Sequence, residues 1–327
     1  GNAKITKVVL SENIGFIGKA AWKGCRNLIQ VEWPSQIIEI EPEVFSGCVE
    51  LTEVLDKKKQ IPIWKEIGDR TFYQCRKLQE ICLEQIGRVG KEGLAGCSRL
   101  KIGKVKEGFL LKERAFEGTG FLQNKGNNCL SLGDIVISGA GCVGEVYLPE
   151  EVTGIAPFAF SGNRNLTRVI LPKGLKWIGE GAFFGCSALA EVEFPERLVF
   201  IGERAFEKCS SLHFVHTGAE YIGRKAFAFC SSMEKAELPM VNILTDGIFE
   251  GCGALKSCIC KKVEAIGERS FRGCIKLEEF DFCNIRQIEA YAFEGCDSLK
   301  RIVFQHCTFI EEYAFRDCGR LEELYFL

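Results

Sequence analysis

The chain is poor in histidine, methionine and proline, and it has no long apolar run. Of 327 residues, three are His, two are Met and eight are Pro. So few imidazoles leave little material for histidine-based acid–base centres or metal sets. His213 and His216 lie three apart in a strand-like stretch, a spacing that puts them on opposite faces rather than on one metal. His306 adjoins Cys307, but a Cys/His nucleophile pair needs an orienting third group, and nothing marks one. No clustered nucleophile, metal set or Gly-rich phosphate loop stands out, and no window approaches the ~18 apolar residues of a membrane helix. Charge of one sign is lacking too. The 42 basic and 44 acidic residues leave a net charge of −2, whereas nucleic-acid binding calls for a basic footprint. The first residues, Gly1-Asn2-Ala3-Lys4, contain neither Met nor an apolar signal core. We read Gly1 as a tag-cleavage scar and expect the chain to have lost a signal peptide upstream.

What is present is a repeat. Trp22, Phe45, Phe72, Leu94, Phe116, Phe160, Phe183, Phe206, Phe227, Phe249, Phe271, Phe293 and Phe315 are thirteen anchors, most of them 21 to 23 residues apart. The position five before each anchor is aliphatic, from Ile17 to Ile310, and the position six after it is Leu except at Met233. Such a period with Ile, Phe and Leu at fixed offsets predicts a leucine-rich repeat solenoid. Each unit divides in two. The run after the +6 Leu alternates, as in Val192-Glu193-Phe194, and predicts a short strand with one buried face. The segment 201–209, IGERAFEKC, carries Ile201, Ala205, Phe206 and Cys209 in steps of four, one and three, which predict a short helix. The expected fold is α/β: about 13 repeats, with a parallel sheet on one face, short helices on the other and one β-hairpin insertion. Counting Ile5-x-x-Val8-x-Leu10 as the first strand gives about fourteen strands.

Two places break the rhythm. Asp56-Lys57-Lys58-Lys59-Gln60 lengthens one step and reads as a solvated loop. Between Phe116 and Phe160 two periods pass, and the middle lacks the motif. There Asp134–Ser138, the turn Gly139-Ala140-Gly141 and Glu145–Leu148 predict a hairpin. The expected organisation is one continuous solenoid with repeats over 1–122, a hairpin insertion over 123–145 and repeats over 146–327. Neither end carries the polar outer face of a capping repeat, so the expectation is either that the native chain continues or that an end packs on a partner, end-to-end self-association being one such packing.

The unit I-G-x-x-A-F-x-x-C-x-x-L-x-x-[IV]-x-[LF]-P, matched almost position for position by Trp177–Leu189 followed by Val192-Glu193-Phe194-Pro195, resembles the BspA-like leucine-rich repeat family. The resemblance covers nearly the whole chain except about 123–145, and even the interrupting hairpin looks like the non-repeat hairpins of such proteins. It implies a secreted or cell-surface protein of a host-associated microbe, engaged in adhesion or binding of host proteins. A cytoplasmic location stays open. It carries over no catalytic residues and no cofactor.

Eighteen cysteines would suggest a disulfide framework in a small secreted domain. Here eleven sit at +3 from the anchor (Cys25, Cys48, Cys75, Cys97, Cys186, Cys209, Cys230, Cys252, Cys274, Cys296 and Cys318), while Thr119 and Asn163 break the series. Their parallel side-chain vectors suit a bridge poorly, so they are expected to be reduced core residues. Cys258 and Cys260 read as core, and Cys82 as facing outward. Cys129 and Cys142 bracket the hairpin and form the best-placed disulfide pair. No metal site is expected. The candidate partner surface is the solvent face of the strands: Arg168, Ile170, Glu191, Glu193, Phe214, His216, Lys235, Glu237, Ile259, Glu279, Asp281 and Val303. Ile170, Phe214, Ile259 and Val303 are apolar where a polar residue is expected, and they read either as scattered exposed apolar residues or as an apolar row with acidic flanks. The expected function is non-catalytic binding of a protein partner, such as a host or extracellular-matrix protein. Against it stand a glycan-binding protein or carbohydrate-active enzyme using the face carboxylates, and a structural spacer.

Overall fold

A computed structural model describes residues 1–34, 39–62, 64–84, 86–105, 110–120 and 129–327. It divides into two compact units: Gly1–Gly126 with Leu130–Ile137, and Asn127–Cys129 with Ser138–Leu327. Residues 123–128 of the predicted insertion fall outside the described residues.

Each repeat contributes two strands. The first, which we term the wide strand, follows the +6 residue, as the alternation predicts. In the second unit the wide strands include Gly144–Tyr147, Leu166–Ile170, Glu191–Glu193, Phe214–His216, Lys235–Glu237, Ser257–Ile259, Glu279–Phe280, Arg301–Phe304 and Glu323–Phe326. They fall into three sheets, broken after Glu191–Glu193 and after Glu279–Phe280, and within each sheet neighbours pair in parallel, Phe214 with Lys235 and His216 with Glu237. The first unit repeats the arrangement with Lys7–Val9, Gln30–Trp33 and Glu53–Asp56 in one sheet and Glu80–Leu83 beside Lys101–Val105 in another. The second strand of each repeat is narrow, two residues long, and ends on the −5 aliphatic residue. Examples are Trp177–Ile178, Phe200–Ile201 and Tyr221–Ile222, which also pair in parallel.

The predicted helices do not form. Among the described residues there is no α-helix; the segment after each narrow strand is a chain of turns. The reason is backbone handedness. In every repeat the residues two before and two after the anchor have positive φ, from Ala20 and Gly24 around Trp22 to Tyr313 and Asp317 around Phe315. A left-handed residue cannot propagate a right-handed helix. The N–H groups that would have closed i→i−4 bonds instead reach the next coil. Around Phe227, the amides of Lys225, Phe227 and Phe229 donate to the carbonyls of Asp246, Ile248 and Glu250 at 2.9, 3.0 and 2.6 Å. The arch is thus a third inter-coil ladder, and its donors are satisfied by stacking.

The core runs along each unit's axis. In the second unit the rings of Phe160, Phe183, Phe206, Phe227, Phe249, Phe271, Phe293 and Phe315 stack with centroids 4.7–5.9 Å apart. In the first unit Trp22, Phe45 and Phe72 stack at 5.4 Å, with Trp33 and Trp64 packed alongside.

The hairpin lies elsewhere than predicted. Leu130–Leu132 and Ile135–Ser138 are the neighbouring strands, joined at Gly133-Asp134 with Gly133 at φ +60°. Gly144–Tyr147, expected as its second arm, pairs in parallel with Leu166–Ile170 as an ordinary wide strand. Residues 139–142 keep two hydrogen bonds of a repeat arch but not its left-handed flanks, since neither Ile137 nor Gly141 has positive φ. The Gly139 amide donates to the Ala159 carbonyl, as an anchor amide does, and Cys142 N–H donates to Gly139 O, as +3 to anchor. Gly139 takes the anchor position without a ring, and a Cβ there would sit 2.0 Å from the ring of Phe160. The Asp56 insertion is an exposed turn, closed by Asp56 Oδ1 accepting the amides of Lys58 and Gln60 at 2.8 Å.

Candidate functional site

The wide-strand face of the second unit carries all twelve candidate residues, and each is exposed or half-buried. The inward residues between them, Val169, Val215, Ala236, Cys258 and Ile302, are buried, so strand alternation sets the direction of these side chains.

The four apolar candidates do not form a row. Register sets Ile170 against Glu193, Phe214 against Lys235, Ile259 against Glu237 and Val303 against Tyr325. Each stands next to a charge or a phenol instead of its fellows. Phe214 is 44% exposed and Ile259 41%.

The charges are largely tied to one another. Arg168 meets Glu145 and Glu191 at 3.1 Å and also pairs with Glu193, and Tyr147 donates to Glu145 at 2.8 Å. The Glu193 carboxylate, foremost, raises the Arg168 pKa above its ordinary value. Lys235 and His216 both bond Glu237, His216 Nδ1 at 2.8 Å. The Lys235 ammonium chiefly, with His216 assisting, holds the Glu237 carboxyl below the usual carboxylate range. Asp281 accepts the Cys283 amide at 2.9 Å, and Glu279 is exposed. His213 turns to the Ser232 carbonyl at 3.4 Å, away from the partner of His216. Among the described residues no three His, Cys, Asp or Glu side chains are placed to hold a metal ion, and no helix is long and apolar enough to cross a membrane.

Sequence reading missed a second surface. In most of the described narrow strands the first residue points outward; Gly154, buried and without a side chain, is an exception. In the second unit Trp177, Phe200, Tyr221 and Ile243 follow one another in this position, with Phe200, Tyr221 and Ile243 at 40, 50 and 58% exposure. Phe200 and Tyr221 stack at 5.1 Å with their planes 5° apart, so they show edges, not faces, to solvent. Beyond Ile243 the row dips at Ala265. Asn242, Ile243, Glu264, Ala265, Arg286 and Gln287 line a depression of about 400 Å³, with Arg286 paired to Glu264 at 3.3 Å. The signal was the aromatic or aliphatic residue ahead of the repeated Ile-Gly. That residue falls between the predicted strand and the predicted helix over 201–209, and a two-residue strand is too short to show alternation.

The thiols are free. Ten of the +3 cysteines, Cys48 through Cys318, lie with Sγ 3.0–3.2 Å from the carbonyl oxygen of the preceding anchor. Each such carbonyl from Phe45 onward also accepts the amide of its own +3 residue, as Phe249 O does from Cys252 N–H at 3.0 Å. A +3 cysteine is therefore a small apolar filler that also satisfies the second lone pair of a buried carbonyl. At the break, Asn163 does this work, its Nδ2 donating to Gly139 O and Cys142 O at 2.9 and 2.8 Å.

The profile described as BspA type leucine rich repeat region matches residues 1–123, 133–256 and 214–322, in six copies. Similar solved structures include a leucine-rich repeat protein from Bacteroides ovatus, 24% identical over 97% of this chain and 86% of that one, TM-score 0.48. Others are a leucine rich cell surface protein from Faecalibacterium prausnitzii (20%, 98% and 87%, TM-score 0.43) and a leucine-rich repeat protein from Eubacterium ventriosum (20%, 98% and 84%, TM-score 0.49). No curated protein matches.

Proposed function

The chain belongs to the BspA-type leucine-rich repeat family, and on that premise we propose that it is a non-catalytic protein-binding module acting at a cell surface or in secretion. Leucine-rich repeat proteins in general serve as protein-interaction or surface modules. The observation that carries the reading is the exposure of Phe214 and Ile259 at 44 and 41% within a field of pre-paired charges on one open parallel face. Apolar side chains of this size, standing out of a sheet, gain from being covered. The surrounding ion pairs are already oriented, so a partner with complementary charges need not order them. Affinity on such a face sums many weak contacts. Phe214 and Ile259 are the anchors, and Arg168, Ile170, Glu191, Glu193, His216, Lys235, Glu237, Glu279, Asp281 and Val303 form the surround. The partner fits a host or extracellular-matrix protein.

The test is surface plasmon resonance against a panel of purified extracellular-matrix proteins. For any protein bound, the double variant Phe214→Asp, Ile259→Asp weakens binding about tenfold or more, equivalent to about 1.4 kcal/mol. The matched pair Phe200→Asp, Tyr221→Asp on the narrow-strand row leaves binding unchanged. Circular dichroism and melting confirm that each variant is folded. Reversal of the two results moves the site to the aromatic row.

A further inference from the structure

Of the eighteen thiols, Cys129 and Cys142 face each other, with Sγ atoms 2.9 Å apart. The +3 ladder thiols point instead at carbonyl oxygens, coil after coil. Cys258 and Cys260 also touch through their side chains, but they lie two apart along one strand segment and are both buried, out of reach of an oxidant in solution. Cys129 is half-buried and reaches solvent, while Cys142 is buried.

Cys142 is also held in place. It occupies the +3 position of the ringless arch at Gly139, where its amide donates to Gly139 O at 3.1 Å. Its carbonyl and that of Gly139 are both bonded by the Asn163 amide. In the regular coils the next thiol bonds only the anchor carbonyl. Here Asn163 bonds both carbonyls, so the backbone that carries Cys142 is clamped from the following coil.

We propose that Cys129 and Cys142 are a reversible disulfide site, oxidised in preference to every other thiol of the chain, that closes residues 129–142 into a ring around the hairpin Leu130–Leu132/Ile135–Ser138. The sulfurs need to approach by less than an ångström to reach the bonded separation of about 2.05 Å. The reaction is exchange with a small-molecule disulfide such as oxidised glutathione. Cys129, the accessible sulfur, loses its proton and attacks one glutathione sulfur. The S–S bond of glutathione breaks, and the first glutathione leaves as thiolate. Cys142 then loses its proton and attacks the Cys129 sulfur of the mixed disulfide, expelling the second glutathione thiolate. The two cysteine protons end on the two released glutathione thiols, and the two electrons lost by the protein are those gained by glutathione. An oxidising compartment holds the ring closed and a reducing one opens it.

The experiment equilibrates the native chain in glutathione buffers of graded redox ratio, quenches with acid, alkylates and maps peptides by mass. The expected result is one dominant intramolecular crosslink, Cys129 to Cys142, appearing at the most reducing ratio of any and reversed by excess reduced glutathione. Cys142→Ser converts the crosslink into a stable glutathione adduct on Cys129. Cys129→Ser, at the half-exposed position, leaves no crosslink and no adduct at Cys142 while circular dichroism is unchanged. Two results overturn the proposal: another pair crosslinking first, or Cys129 accumulating as the glutathione adduct in the unsubstituted chain with Cys142 free.

Discussion

At the scale of single residues, the anchor position has two duties. Its ring stacks on the rings of the coils before and after, and its carbonyl accepts two bonds. Phe249 shows both: it stacks on Phe227 at 5.9 Å and on Phe271 at 5.6 Å, and its oxygen takes the Cys252 amide and the Cys274 thiol. Phe249→Ala removes a fully buried ring and leaves a cavity open to two neighbours, so we expect a loss of about 3–5 kcal/mol in urea unfolding. Cys274→Ala is milder. It removes the thiol donor, but Phe249 O keeps the Cys252 amide and is not orphaned. The expected cost is about 1–2 kcal/mol, mostly the missing sulfur volume. A Cys274→Ala variant as damaging as Phe249→Ala would mean that the thiol, not the ring, holds the coil.

At the scale of the element, the arch depends on left-handed residues flanking the anchor. Gly fills the +2 place in many repeats, Gly251 at φ +73° among them, but Lys208 takes it at φ +64°. Lys208→Gly relieves that strain and should raise stability by about 0.5–1 kcal/mol, less than the full left-handed cost because Gly also loosens the unfolded chain. Gly251→Ala should lower stability by about 1–2 kcal/mol, and its Cβ would also meet the Phe229 ring at 2.5 Å. Urea midpoints that move the same way in both variants would refute the handedness account. The same positions explain what could be read beforehand. Wide strands were legible because alternation over three to five residues fits no other element. The arch was not, because Ile201, Ala205, Phe206 and Cys209 fit a helical face as well as a coil of turns. The deciding signal was the Gly before so many +3 cysteines, a residue that weakens a helix and suits positive φ. At the site, alternation placed Phe214 and Ile259 outward correctly. Whether the outward apolar residues are scattered or form a row could not be read, because facing is set along one strand while lateral neighbours are set by register between strands. Register puts Lys235 beside Phe214 and Glu237 beside Ile259, the scattered arrangement.

At the scale of the whole molecule, repetition turns a minor property of one thiol into a response of the entire protein. Burial pushes the Cys48, Cys97, Cys186 and Cys252 thiols up from an ordinary 9.0 to about 12, and Cys318 to about 11. Burial also raises Cys75, Cys209, Cys230, Cys274 and Cys296 well above 9.0. The direction of the linkage follows from proton counts. Below about pH 9 these thiols are protonated in both folded and unfolded chains, and stability does not depend on them. Between about 9 and 12 the unfolded chain has released protons that the folded chain still holds. The unfolded state then binds fewer protons, and stability falls as pH rises. The urea midpoint should therefore hold below pH 9 and drop progressively above it. A midpoint that stays flat through that window would show that the thiols are not buried in solution as they are here. Labelling gives an independent reading. At pH 8 a thiol reagent should reach the half-buried Cys82, Cys129, Cys283, Cys307 and Cys318 first, and the rest only once denaturant opens the coils. Because each thiol is sealed by the coil that follows it, the ladder thiols of one unit should release together, over the urea range in which that unit unfolds. Ladder thiols that label well below that range would mean that single coils open on their own, and that the stacked arches of a unit do not act as one cooperative structure.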